Sequence, residues 1–190
     1  MNTTPAAATR WPGFVDAMTA LVDRTFDEPT LLREGRTLLA GLVAHDDWLP
    51  ERATQAHPDR YAQHLLHLDP MARFCVVSFV WGPGHATPVH DHTVWGLVGV
   101  LRGAERCEEC ALSGGVPHLS GAAHVMFPGD VEAVSPTVGD WHRVSSARPD
   151  GLSISVHVYG ADIGRVQRHR LADDGSVVGF VSGYDSVPAC

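Results

Sequence analysis

The chain has no lysine: all 14 of its basic residues are arginine. Chemistry that depends on a primary amine, such as Schiff-base formation or the phosphate-gripping lysine of a P-loop or kinase, is thereby excluded. No run approaches the roughly 18 uninterrupted apolar residues that a membrane span requires. The segment Met1-Asn2-Thr3-Thr4-Pro5 lacks the basic and apolar regions of a signal peptide, so a cytoplasmic protein without a membrane association is expected. Basic stretches are also missing and the net charge is −8, which argues against a nucleic-acid partner. No obligate protein partner is indicated. The four cysteines, Cys75, Cys107, Cys110 and Cys190, do not make a disulfide framework in a chain of 190 residues. Cys107-Glu108-Glu109-Cys110 is a lone CxxC without the second pair of a zinc ribbon or the helix start of a redox motif. Repeats, low-complexity tracts and linkers are absent.

What is present reads as one domain with two textures. From Trp11 to Ala44 apolar residues recur at helical spacing, in one stripe of Phe14, Met18, Leu21 and Val22 and another of Leu31, Leu32, Leu38, Leu39, Leu42 and Val43. Glu28-Pro29-Thr30 predicts a break and restart between them. A helical part over about 11–57 is expected. From about residue 60 to 190 the pattern predicts a β-barrel, with β-rich runs Phe74–Trp81, Val94–Leu101, His124–Phe127, His142–Ser145, Leu152–Tyr159 and Ser176–Val181. Turns such as Pro128-Gly129-Asp130 and Asp173-Asp174-Gly175 bound them, which favours antiparallel pairing.

The 12 histidines carry more information than the charge. In GHATPVHDHTVWGLVGVLRGAE (Gly84 to Glu105), His90 and His92 are two residues apart. On a strand, residues i and i+2 share a face, so both imidazoles can converge on one point while Asp91 points away. Ser155, His157 and Tyr159 likewise fall at i, i+2 and i+4, which lets a hydroxyl, an imidazole and a phenol hydrogen-bond in line.

The run from Gly84 to Gly103 resembles the first cupin motif, with five residues between Gly84 and His90. Pro136-Thr137-Val138-Gly139-Asp140-Trp141-His142 resembles the second, one residue longer than usual, and makes His142 the third ligand candidate. Where a typical cupin carries a glutamate ligand, this chain has Gly96 or Leu97, leaving three neutral imidazoles. A divalent ion on such a set keeps its full charge and favours anionic ligands such as a thiolate. Imidazole alone does not select among iron, zinc, copper and nickel.

Over residues 60 to 170 the chain is similar to the thiol dioxygenases: cysteine dioxygenase and, closer, bacterial 3-mercaptopropionate dioxygenase. WGPGHATPVHDHTVWGLVGVLRGAE, GDWHRV and Ser155-Val156-His157-Val158-Tyr159 carry the resemblance. It implies a cupin fold (antiparallel β-barrel or jelly roll, mainly β, with a short N-terminal helical segment) and one Fe(II) per chain on His90, His92 and His142. It further implies a catalytic relay of Ser155, His157 and Tyr159, and oxidation of a small thiol by O2 to the sulfinic acid. The arginine with which cysteine dioxygenases clamp the substrate carboxylate is matched by Gln63, in Tyr61-Ala62-Gln63. In the family, glutamine there accompanies 3-mercaptopropionate. Arg168, in Gln167-Arg168-His169-Arg170, is an alternative carboxylate partner. The tyrosine–cysteine crosslink of the animal members is not expected, since no cysteine occurs between His90 and Val100. Cysteine or another mercapto-acid, such as mercaptosuccinate, stays open as substrate. So do a non-catalytic metal- or ligand-binding cupin and a zinc or nickel cupin. Trp95 reads as packing, and His64, His67, His85, His118, His124 and His169 as surface or structural. Glu105, Glu108 and Glu109 read as solvated.

Overall fold

The computed structural model describes residues 7–188; Met1–Pro5 and Cys190 lie outside the described residues. Two helices come first, α1 (Ala7–Arg24) and α2 (Glu28–Val43). The break lies at residues 25–27, directly before Glu28-Pro29-Thr30, which form the first turn of the restarted helix. Asp27 caps α2 by accepting a hydrogen bond from the Thr30 N–H at 3.0 Å, and Pro29 lies in the first turn, where a missing N–H breaks no helical bond. The two apolar stripes merge into one core in which Met18, Leu21, Leu39 and Val43 pack with Val76, Val80, Leu97, Val156 and Val158 of the sheet. Each such side chain contributes about 1.5–3 kcal/mol on full burial, so contact with the sheet, more than intrinsic helix preference, holds the helices. Among the described residues no helix is long and apolar enough to cross a membrane.

A short 3-10 turn (Glu51–Thr54) leads into ten strands: β1 (Ala62–Leu68), β2 (Cys75–Trp81), β3 (Gly96–Arg102), β4 (Glu105–Ser113), β5 (Val116–Met126), β6 (Val131–Val134), β7 (His142–Ser146), β8 (Ser153–Tyr159), β9 (Arg168–Leu171) and β10 (Val177–Phe180). They form a five-stranded sheet in the order β1-β2-β8-β3-β6, a three-stranded sheet β5-β4-β7 and a β9–β10 hairpin. All named pairs are antiparallel. The expected class, mainly β and antiparallel with a helical N-terminal segment, is what the structure shows.

The central strands are buried on both faces, and period-two alternation divides their roles. On β8, Ile154, Val156 and Val158 join the helix-side core. Ser155, His157 and Tyr159 take the other face, where β2 sets Phe79, Val77 and Cys75 directly opposite them. One side of the strand is structural and the other is available for chemistry. The sequence reading missed β1, β4, β6, β9 and the first half of β5. The β4–β5 hairpin is largely exposed beyond Cys107 and carries no apolar alternation.

Candidate metal centre

His90-Asp91-His92 is not on a regular strand, contrary to the sequence reading. The segment is extended chain between Pro88, which cannot donate to a ladder, and Thr93, whose φ of 60° ends the extension. Isolated bridges hold it in place of a ladder. His90 and His142 exchange both backbone hydrogen bonds (3.0 and 3.1 Å), and the Asp91 N–H donates to the His169 carbonyl at 3.1 Å. Because the backbone is still extended, the i, i+2 argument survives: both imidazoles reach the same point as His142, from the start of β7. The Asp91 carboxylate turns the other way and accepts from the backbone N–H (2.6 Å) of His169 and pairs with its Nδ1 (2.8 Å).

The three rings are buried, and one ligand nitrogen from each lies within 4.8 Å of the others. Each Nδ1 is engaged away from that point. His90 Nδ1 meets the Pro88 carbonyl at 3.0 Å, His92 Nδ1 meets Asp140 Oδ1 at 3.0 Å, and His142 Nδ1 meets Cys107 Sγ at 3.6 Å. Outer partners of this kind fix the tautomer with the proton on Nδ1, which directs the Nε2 lone pair inward. Burial, then the neighbouring His92, pushes His90 down to about 3, and burial likewise holds His142 well below its ordinary value. Three buried and convergent imidazoles fit a divalent metal ion. Asp140, unremarked in the sequence reading, also accepts from the backbone N–H groups of His92 (2.9 Å) and Thr93 (3.0 Å), securing the left-handed Thr93. Burial opposes ionisation of Asp140, but its bonds from His92 and Thr93 prevail and hold the carboxyl below its usual range.

Gly96, one of the two positions read for the missing carboxylate ligand, has a steric reason to be glycine. A Cβ there would meet the Tyr159 ring at 2.8 Å and Val134 at 3.0 Å. Leu97 faces the helix-side core. A side chain at 96 and the present position of the phenol are mutually exclusive.

The line of polar groups on β8 forms as predicted: Ser155 Oγ lies 2.8 Å from His157 Nε2, and His157 Nδ1 lies 2.7 Å from the Tyr159 hydroxyl. Phe79 stacks on the His157 ring at 4.0 Å, and Trp81 Nε1 donates to Ser155 Oγ at 3.2 Å. At the inner end sits Glu105, only 1 % exposed, which overturns its reading as a solvated side chain. It begins β4 after the Gly103 turn, flanked by buried Ala104 and Cys107, and accepts from Ser153 Oγ at 3.1 Å. Burial pushes its carboxyl up to about 8 against the opposing hydroxyls of Ser155 and Ser153. Glu108, half-buried and paired with Arg143 at 3.1 Å, and exposed Glu109 are not sealed in this way.

A stability prediction follows from Glu105. The folded chain keeps this proton up to about pH 8, whereas the unfolded chain releases it near 4.5. The unfolded state therefore binds fewer protons across that window, and stability falls as pH rises through it. Glu105→Gln is expected to remove this part of the slope, so its melting-temperature advantage over the parent should widen between about pH 5 and pH 8. Parallel melting curves for the two proteins over that range would contradict a buried neutral carboxyl.

The histidines, Tyr159, Gln63 and Arg168 all line one cavity of about 280 Å³, whose walls include Phe79, Trp81 and Phe180. The sequence offered Gln63 and Arg168 as alternatives; β1 and β9 bring both to the same cavity. Arg168 is 4 % exposed, donates to Ser182 Oγ at 2.7 Å and stacks over Phe180 at 4.7 Å. Among the described residues no carboxylate pairs with it, and its Nε has no hydrogen-bond partner; nor has Gln63 Oε1. Of the remaining histidines, His64 satisfies both nitrogens, with Ser186 at 2.8 Å and the Gln55 carbonyl at 2.7 Å, and His85 accepts from the Gly82 N–H at 2.9 Å. Both are structural, as read. Trp95 packs against the helix-side core.

No protein-family model matches the sequence. Among solved structures, the chain is similar to an uncharacterized conserved protein with a double-stranded β-helix domain from Klebsiella pneumoniae (14% identity, 70% of this chain and 87% of that one, TM-score 0.48). It is similar also to a cupin 2 domain-containing protein from Halorhodospira halophila (18%, 69% and 82%, TM-score 0.47). A cupin-like protein from Thermotoga maritima shows 20% identity over 70% of this chain and 89% of that one, with a TM-score of 0.45.

Proposed function

We propose that this chain is a non-haem Fe(II) thiol dioxygenase that converts a small mercapto-carboxylate, 3-mercaptopropionate in the first instance, and O2 to the sulfinic acid. The observation that carries the reading is the content of one 280 Å³ cavity: three convergent buried imidazoles, a buried arginine that has no counter-ion among the described residues, and a phenol at the end of a hydrogen-bonded line. The reaction R–SH + O2 → R–SO2H balances without an external reductant, with four electrons leaving sulfur and both oxygen atoms ending on it. Fe(II), held by His90, His92 and His142, would supply the charge that keeps a thiol as thiolate and the reactivity toward O2.

The chain's own groups have separable tasks. Among the described residues this buried cation has no counter-ion, which is costly, so Arg168 favours an anionic ligand, and the side-chain amide N–H of Gln63 on the same cavity wall can donate a further hydrogen bond to it. A substrate carboxylate on Arg168 leaves the thiol end free to reach the histidine cluster. The apolar walls of Phe79, Trp81 and Phe180 keep bulk water out. The line to Tyr159 accommodates two proton arrangements. Ser155 can donate to His157 Nε2 and Nδ1–H to the phenol oxygen, which frees the phenol O–H to donate into the cavity. Alternatively the phenol donates to Nδ1 and its oxygen is left as an acceptor. Tyr159 can thus give or take a hydrogen bond beside the reacting sulfur without net charge appearing in the line.

Substrate selection tests this reading. Arg168→Ala is expected to raise KM for 3-mercaptopropionate by about one to two decades, the equivalent of the roughly 1.5–3 kcal/mol of a charge-assisted hydrogen bond. Turnover of cysteamine, which has no carboxylate, should change little. Gln63→Arg should narrow the preference for 3-mercaptopropionate over cysteine. Equal losses on cysteamine and 3-mercaptopropionate in Arg168→Ala would remove the carboxylate assignment.

A further inference from the structure

A second donor cluster lies outside the cavity just described. Cys107 on β4 and His124 on β5 are direct cross-strand partners, and Glu132 approaches them from β6, the edge of the other sheet. One ligand atom from each lies within 4.8 Å of the other two. The Cys107 sulfur is buried, His124 and Glu132 are half-buried, and Cys110 and Glu109 border the same cavity of about 310 Å³. His124 Nε2 is sealed from solvent without a hydrogen bond of proper geometry, although it lies in ion-pair contact with Glu132 Oε1. The lone CxxC and His124, which the sequence leaves without a task, thus meet at one place.

From this geometry we infer a second metal site, in which Cys107 Sγ, His124 Nε2 and a Glu132 oxygen bind a thiophilic divalent cation of the Zn(II) class. One sulfur, one imidazole and one carboxylate form a mixed set suited to borderline-soft ions. Around a tetrahedral ion with bonds of about 2.0–2.3 Å, ligand atoms stand about 3.3–3.8 Å apart, so seating an ion takes shifts of about an ångström, with the His124–Glu132 pair moving apart, within reach of two half-buried side chains. Binding replaces the Cys107 thiol proton with the cation, and that proton passes to solvent. The fourth position is open to water. The site also touches the first one. Cys107 Sγ is 3.6 Å from His142 Nδ1, and a metal-bound thiolate is a stronger acceptor for that N–H than a thiol. This coupling, unlike the site itself, rests on the three-histidine reading.

The test is an anaerobic titration of the metal-free chain with Cd(II), following thiolate-to-metal charge-transfer absorption and counting ions retained after desalting. The full chain is expected to develop the absorption and to retain two ions. Cys107→Ser should lose the absorption and one ion. Glu132→Gln, a change at a half-buried position, should keep the fold and bind at the second site at least about tenfold more weakly. The His90→Ala/His92→Ala double variant should keep the absorption and one ion, which separates this site from the fate of the first. No charge-transfer absorption in the full chain, an unchanged absorption in Cys107→Ser, or undiminished affinity in Glu132→Gln would overturn the proposal.

Discussion

His92→Ala is expected to leave a folded chain that retains no metal at the three-histidine site and has no measurable turnover. The ring is 1 % exposed, its Nδ1 is fixed by Asp140 and its Nε2 lone pair is one of three that the described residues direct at the site. With no carboxylate at residue 96 or 97, the described residues offer no fourth protein ligand to compensate. Losing an outer hydrogen-bond partner of a metal ligand costs about 10–100-fold in affinity, and losing the ligand itself must cost more. Asp140→Asn therefore supplies the graded comparison: metal binding weakened by about one to two decades but not abolished. Iron content after desalting reads both variants, and circular dichroism separates metal loss from unfolding. Full iron and turnover in His92→Ala would remove His92 from the ligand set, and an Asp140→Asn loss as complete as that of His92→Ala would mean that Asp140 does more than orient the ring.

Tyr159→Phe should keep both iron and fold yet lose about one to three decades of kcat, the range for removing one positioned hydrogen bond at a reacting centre. The phenol ring packs 5.6 Å from His92, and Gly96 leaves room for it, so phenylalanine fills the same space. Only the hydroxyl, 2.7 Å from His157 Nδ1, is removed. Packing and chemistry are therefore separable at this position. An effect confined to kcat, with thiol KM nearly unchanged, identifies the hydroxyl as a group acting during reaction. Unchanged kcat would return Tyr159 to a packing role.

How much of this the sequence disclosed depends on how local each feature is. The ligand set and the Ser155-His157-Tyr159 line are readable because extended backbone converts spacings of two residues into a shared face. His90 and His92 obey that rule even off a regular strand, since Pro88 and Thr93 end the ladder but leave the chain between them extended. Long-range convergence leaves no such trace. Gln63 and Arg168 meet only because β1 and β9 close the same cavity. Glu105 reads as another charge beside Arg106 and Glu108. Its burial follows from Ser153 and Ser155 on a strand some 50 residues away, and the one local hint was its position between Ala104 and Cys107. Strand β1 was hidden for a related reason: Gln63 and His64 are both buried, one toward the cavity and one against Ser186 and Gln55, so the strand has no polar face to alternate.

The three-histidine cavity is proposed to oxidise a thiol carrying a carboxylate. The most direct test is oxygen uptake by the iron-loaded chain, prepared anaerobically and then given 3-mercaptopropionate, cysteine or cysteamine in parallel. Thiol-dependent uptake is expected, with one O2 consumed per sulfinate formed and the highest kcat/KM for 3-mercaptopropionate. Iron retained on the histidines with no thiol-dependent uptake from any of the three would contradict it and leave a metal-binding protein without this activity.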